Sequence, residues 1–171
     1  MLLPEYQNHF RMPSVLVLLA WACLSSAVLQ AGSPGSDKQV QALIDAGKAP
    51  VGVVFEVAAE HGGLQWALPK IKGYVGALRA RYPQMKFAVV SHGDELFALQ
   101  KKYRRREVKT HQMAKNLFRD EQVPIHICQT YAGWSGVQPE DFPDYVSVST
   151  QGPQEIKNYQ EFGYQLIRVT R

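Results

Sequence analysis

The feature that most limits what this chain can fold into is an alternation. Five short runs rich in β-branched and other apolar residues are separated by stretches of helical periodicity and turn residues. The runs are Val51-Gly52-Val53-Val54-Phe55-Glu56-Val57, Phe87-Ala88-Val89-Val90, Pro124-Ile125-His126-Ile127, Tyr145-Val146-Ser147-Val148 and the segment from Tyr164 to Val169. Near-continuous apolar runs of this length fit strands buried on both faces of a sheet. Strands that alternate with helices imply right-handed crossovers, a mainly parallel five-stranded sheet and helices on both of its faces.

The intervening segments carry the matching helical signals. Leu64, Leu68, Ile71, Val75, Leu78 and Tyr82 recur at steps of three and four, which places them on one helix face. Pro69 interrupts that stretch and removes a helical hydrogen bond, so the regular helix is expected to begin only a residue or so before it. Pro83 closes the segment. Val40 to Ala46 reads as a short helix ended by Gly47, and Glu95 to Tyr103 reads as helical. Met113, Leu117 and Phe118 mark an amphipathic helix before the third strand. Pro153 suits the first turn of the last helix and Gly163 its end.

The N-terminus has a different character. Arg11 precedes an apolar run, Val15 to Ala22, and small residues follow at Ala27, Ala31, Gly32 and Ser33. A positive flank, a short apolar run and small residues describe a secretory signal. Serines interrupt the run, which falls short of the ~20 residues of a membrane span. Cleavage after Ala27 or Ala31 is expected. An uncleaved N-terminal membrane anchor and a lipid-modified Cys23 are the alternatives, and both Met1 and Met12 are possible starts. The expected organisation is a signal peptide over 1–31, a linker and short helix over 32–50, and one α/β domain over 51–171. The mature protein is then periplasmic, with no membrane contact after cleavage.

Loss of the first 31 residues removes Glu5 and Arg11 and leaves the net charge at +4. It also removes Cys23, so Cys128 becomes the sole thiol and no internal disulfide is available. The modest charge does not mark a nucleic-acid binder. The run Lys101-Lys102-Tyr103-Arg104-Arg105-Arg106-Glu107-Val108-Lys109 is strongly basic, but Tyr103 is its one aromatic where nucleic acid needs a stacking platform. It reads either as a docking patch for an anion or acidic protein, or as a solvated surface.

In parallel sheets of this kind, ligands and reactive groups gather at the carboxyl ends of the strands. Three segments should meet there: Ala59-Glu60-His61-Gly62-Gly63, Ser91-His92-Gly93-Asp94 and Cys128-Gln129-Thr130. Cys128 ends a strand at the start of a turn or helix, where backbone N–H groups can lower a thiol pKa. Thr130 is placed to donate a hydrogen bond to that thiolate. His126, two residues earlier, should share its strand face. Each has a plain structural reading as well: Cys128 as a small apolar filler, His126 as a hydrogen-bonded histidine beneath a helix. His61, His92 and Cys128 are residue types that bind zinc or copper, but their spacing supports no metal site. Phosphate-cradling, dinucleotide-binding and nucleophile-elbow motifs are all absent. Glu56, Glu60, Asp94 and Glu95 read as scattered carboxylates with nothing to pair them.

The ordered set of segments resembles the DsrE/DsrF-like family. The resemblance rests on Val53-Val54-Phe55-Glu56, the strand and turn Val89-Val90-Ser91-His92-Gly93, and the strand ending Ile125-His126-Ile127-Cys128-Gln129-Thr130. It continues through Gly136-Val137-Gln138-Pro139-Glu140-Asp141-Phe142 to the helix and strand Tyr159 to Ile167. It implies a three-layer α/β sandwich of flavodoxin-like arrangement and assembly as trimers or hexamers. It also implies a sulfur carrier that holds a persulfide on Cys128, supported by His126, His92 and Thr130, without metal or cofactor. The partners would be a sulfur donor or acceptor protein, or a small sulfur anion. The second reading is a non-catalytic oligomeric module that binds a small anion or a protein.

Overall fold

The computed structural model describes residues 35–171, so the signal segment lies outside the described residues. Helix α1 (Ser36–Asp45) leads to β1 (Gly52–Val57), α2 (Gly63–Arg81) and β2 (Lys86–Ser91). Two 3-10 segments, Asp94–Leu99 and Lys101–Tyr103, precede α3 (Val108–Arg119) and β3 (Ile125–Cys128). Then come α4 (Gln129–Trp134), a 3-10 turn at Pro139–Asp141, β4 (Ser147–Ser149), α5 (Gly152–Glu161) and β5 (Tyr164–Arg168). Among the described residues, no helix is long and apolar enough to cross a membrane.

The five strands form one sheet in the order β4-β3-β2-β1-β5, and every pairing is parallel. Flavodoxin itself has the order 2-1-3-4-5, so what is shared is the layering and not the strand order. Three consecutive crossovers step the chain from β1 to β4. The connection through α5 then carries it back to the far side of β1.

The period of two along each strand divides the core. Val53, Phe55, Val57, Phe87, Val89, Ile125 and Ile127 point to one face and pack with Leu64, Leu68, Ile71, Val75 and Leu78 of α2 and Leu117 of α3. The other face holds Val54, Ala88 and Val90 beneath Ile156 of α5, with Tyr159, Tyr164 and Leu166 against them. The thinner layer leaves a strip of polar side chains on that face, and the candidate site lies there.

Four local expectations are revised. Pro69 sits well inside α2, which begins at Gly63. Pro69 and Gln65 are both exposed, so the carbonyl that loses its helical donor is on the solvent side. Helix α1 starts at Ser36 and takes in residues read as linker, because the Tyr74 hydroxyl lies 2.8 Å from Ser36 Oγ and donates to Asp37 Oδ1 at 2.6 Å. Glu95 to Tyr103 forms 3-10 turns, with Leu96 and Leu99 buried at a spacing of three. Phe118 is exposed, and Leu117 alone of the two carries the apolar face of α3.

Candidate functional site

The loops that follow β1, β2 and β3 meet at the carboxyl edge of the sheet, and a buried carboxylate ties two of them together. Glu95 is 0% exposed. Its Oε1 accepts from Ser91 Oγ at 2.6 Å and from the Gly93 N–H at 3.2 Å, and its Oε2 accepts from the Ala59 N–H at 2.7 Å. Three donors on a buried carboxylate replace the water it gives up. Gly93 must lack a side chain, because a Cβ there would fall 2.5 Å from Glu95 Oε2 and 2.8 Å from the Ala59 backbone.

Cys128 closes β3 and caps α4. Its Sγ accepts from the backbone N–H of Tyr131 at 3.4 Å. The residue is 5% exposed, and it is the free cysteine among the described residues. The side chain of Tyr131 reaches to the loop after β2, where its hydroxyl donates to Asp94 Oδ1 at 2.7 Å. That bond to the Asp94 carboxylate raises the Tyr131 pKa above its ordinary value. Helix α5 begins against the same cysteine. A Cβ on Gly152 would lie 3.3 Å from Cys128 Cβ and 2.7 Å from His92 Cβ. Cys128 and His92 therefore share one wall, formed by the first residue of α5.

His92 continues into an ion pair on this face. Its Nε2 donates to Glu56 Oε1 at 2.9 Å, and Arg168 Nε stands 2.7 Å from Glu56 Oε2, although without the alignment of a hydrogen bond. The sheet register makes this meeting possible, since Glu56 on β1 lies directly beside Arg168 on β5. The bond to Glu56 raises the pKa of His92. The bond from His92 lowers that of Glu56, and the charge of Arg168 adds to the lowering.

His126 shares the face but not the interaction. Nδ1 lies 3.2 Å from Ser149 Oγ and Nε2 lies 2.8 Å from the Tyr159 hydroxyl, so both ring nitrogens are engaged beneath α5. Burial lowers its pKa despite Glu155 at 3.8 Å. Burial likewise raises the Tyr159 hydroxyl to about 12. A neutral imidazole with two hydroxyl neighbours donates to one and accepts from the other. The Thr130 hydroxyl donates to the Thr150 carbonyl at 2.7 Å and not to the Cys128 sulfur, because the start of α4 is drawn against the end of β4. His61 faces Asp94 at 3.5 Å. Among the described residues, no group of three or more His, Cys, Asp and Glu side chains is arranged to hold a metal ion.

Glu56, Arg168, Tyr131 and Gly152 complete the site, and none of them stood out in the sequence as a site residue. A lone carboxylate inside the apolar run from Val51 to Val57 was the one available signal. The partners of Glu56 depend on β5 returning beside β1, which only the sheet order reveals.

Comparison with known proteins is uneven. No family model matches the chain, and no curated protein does. A solved structure, the protein of unknown function MTH1491 from Methanobacterium thermoautotrophicum, is similar over 68% of this chain and 96% of its own, at 20% identity and a TM-score of 0.52. The ychN protein from E. coli aligns over 68% of this chain and 97% of its own, at 13% identity and a TM-score of 0.48. At 20% identity the likeness to MTH1491 is one of fold, and it places this chain among α/β proteins with a layered parallel sheet.

Proposed function

We propose that this chain is an exported DsrE/DsrF-like protein that carries sulfur as a persulfide on Cys128. The observation that carries the reading is the position of Cys128: it ends β3 at the carboxyl edge, with the first residues of both α4 and α5 against it. The Tyr131 N–H that meets Sγ at 3.4 Å would serve as a donor to a persulfide anion formed there. The ordered sequence motifs and the layered parallel fold support the same reading.

The chemistry is an exchange at sulfur. The Cys128 thiolate attacks the outer sulfur of thiosulfate, or a terminal sulfur of a polysulfide. The S–S bond of the donor breaks, and sulfite or the shortened polysulfide leaves with the electron pair. The thiolate of an acceptor protein then attacks the outer sulfur of the Cys128 persulfide, which restores Cys128 and moves the sulfur onward. His92, whose pairing with Glu56 favours its protonated form, shares the Gly152 wall with Cys128. His126 supports the strand through its hydroxyl partners.

Export supplies the setting, with Cys128 as the sole thiol of the mature chain and small sulfur anions as donors. Cell fractionation with N-terminal sequencing tests export and cleavage after Ala27 or Ala31. Sedimentation tests for a trimer or hexamer. The function is tested by mass spectrometry of the intact protein after incubation with thiosulfate or polysulfide. The expected result is the gain of one or more sulfur atoms, removed by a reducing thiol and absent from Cys128→Ser. Equal gain in that variant would count against the proposal.

A further inference from the structure

The carrier chemistry above uses neither the basic run nor a polar cavity at the carboxyl edge, and these two features coincide. A cavity of about 490 Å³ lies between the loops that follow β1, β2 and β3, and His61, Phe97, Gln100, Tyr103, Arg106 and Val137 contribute to its lining. Its volume is within the range of small-molecule sites, and its place at the strand ends is where parallel sheets bind ligands.

The charges in the cavity are unequally satisfied. Its two carboxylates are occupied: Asp94 takes the Tyr131 hydroxyl and faces His61, and Glu107 Oε2 accepts from Gln65 at 3.1 Å and Thr110 at 3.2 Å. Its cations are less so. Lys102, also in the lining, makes no ion pair among the described residues, and Arg106 reaches Glu107 Oε1 only at 3.7 Å. Both cations lie over the one ring of Tyr103, Arg106 at 4.3 Å and Lys102 at 5.0 Å from its centroid. Phe97, also in the lining, stacks with His61 at 6.1 Å between ring centroids and supplies a flat apolar surface. Gln100 adds a second kind of demand. It is 2% exposed, and its Oε1 has no hydrogen-bond partner. A buried amide oxygen is normally paired.

We propose that this cavity binds a small organic carboxylate that also carries an N–H donor. The carboxylate meets Arg106 and Lys102, the N–H meets Gln100 Oε1, and the apolar body lies against Phe97 and Val137. An acylated amino acid carries all three parts. The inference does not depend on the reactivity of Cys128, which is absent from the cavity lining.

The test is a calorimetric titration of the full chain with N-acetylglycine, N-acetylleucine and N-acetylphenylalanine, each against its methyl ester. The proposal expects saturable binding that is at least tenfold tighter for an acid than for its ester. Arg106→Gln should weaken the acid at least tenfold and leave the ester unchanged. Gln100→Met should weaken both, while Arg119→Gln, which removes a cation outside the cavity, should change neither. A Cys128→Ser protein should bind as the wild type does. Failure of all three acids to bind, equal binding of acid and ester, or equal losses in the Arg106 and Arg119 variants would overturn it. Unchanged thermal unfolding of each variant separates these outcomes from a folding defect.

Discussion

His92 donates from Nε2 to Oε1 of Glu56 across 2.9 Å, and this bond joins the turn after β2 to the end of β1 beside Cys128. Each partner shifts the other, with Glu56 held below its ordinary value of 4.5 and His92 above its ordinary 6.5. The stabilisation of a carboxylate with a lowered pKa is present above its unfolded value and is lost as pH falls through the folded one. That of a histidine with a raised pKa is present below its unfolded value and is lost as pH rises through the folded one. The pair therefore contributes fully between the two ordinary values.

Glu56→Gln should consequently lower stability more at about pH 5.5 than at about pH 9, as read from urea midpoints. Equal losses at both pH values would show that the pair is not coupled in this way.

His126 should act with the opposite sign. Its pKa is held down by burial, so the unfolded chain takes up a proton that the folded one resists, and stability falls as pH drops below 6.5. His126→Gln retains polar contacts toward Ser149 and Tyr159 and removes the titration. Its urea midpoint relative to that of the wild type should therefore rise between about pH 7 and pH 5.5. A constant difference would assign the acid sensitivity to other groups.

Glu95 is expected to be the most sensitive polar position at the carboxyl edge. Glu95→Ala leaves the N–H groups of Ala59 and Gly93 and the Ser91 hydroxyl without their shared acceptor. A loss of about 3 kcal/mol or more is expected, because buried donors without partners cost about 1–3 kcal/mol each. Chemical denaturation measures it, and a loss below about 1 kcal/mol would mean that the loops hold without this tie.

Gly152 tests the packing of α5 onto the site. Its backbone needs no glycine conformation, but an added Cβ meets His92 Cβ at 2.7 Å. Gly152→Ala should cost about 1–3 kcal/mol, as overpacked cores do, and should shift the histidine ring signals of His92 in NMR spectra. A neutral substitution with unmoved signals would place the start of α5 farther from the sheet.

The fold was legible in the sequence wherever burial on both faces made a strand uniformly apolar. Val51 to Val57 and Phe87 to Val90 lie within a residue or so of β1 and the centre of β2. The edge strand was less so. Tyr145 and Val146 look like strand residues but precede β4, and they are buried through contacts outside the ladder, including Tyr145 against His111 at 2.5 Å. At the site, Cys128 and His92 were readable because each lies within two residues of the end of an apolar run. The pairing of Glu56 with His92 and Arg168 was not, since it joins three strands that only the tertiary order brings side by side. The hydrogen bond of Thr130 was not legible either, because the carbonyl that claims its hydroxyl follows β4.

The proposed carrier role depends most on the sulfur of Cys128 being reachable in the folded protein, although the residue is only 5% exposed. The direct measurement is the rate of iodoacetamide labelling of Cys128 in a Cys23→Ser background, as a function of urea below the unfolding transition. Local opening at the carboxyl edge predicts labelling that proceeds in native buffer and is nearly independent of urea. Labelling that appears only in step with global unfolding would contradict the proposed carrier role and leave Cys128 as a packed core residue.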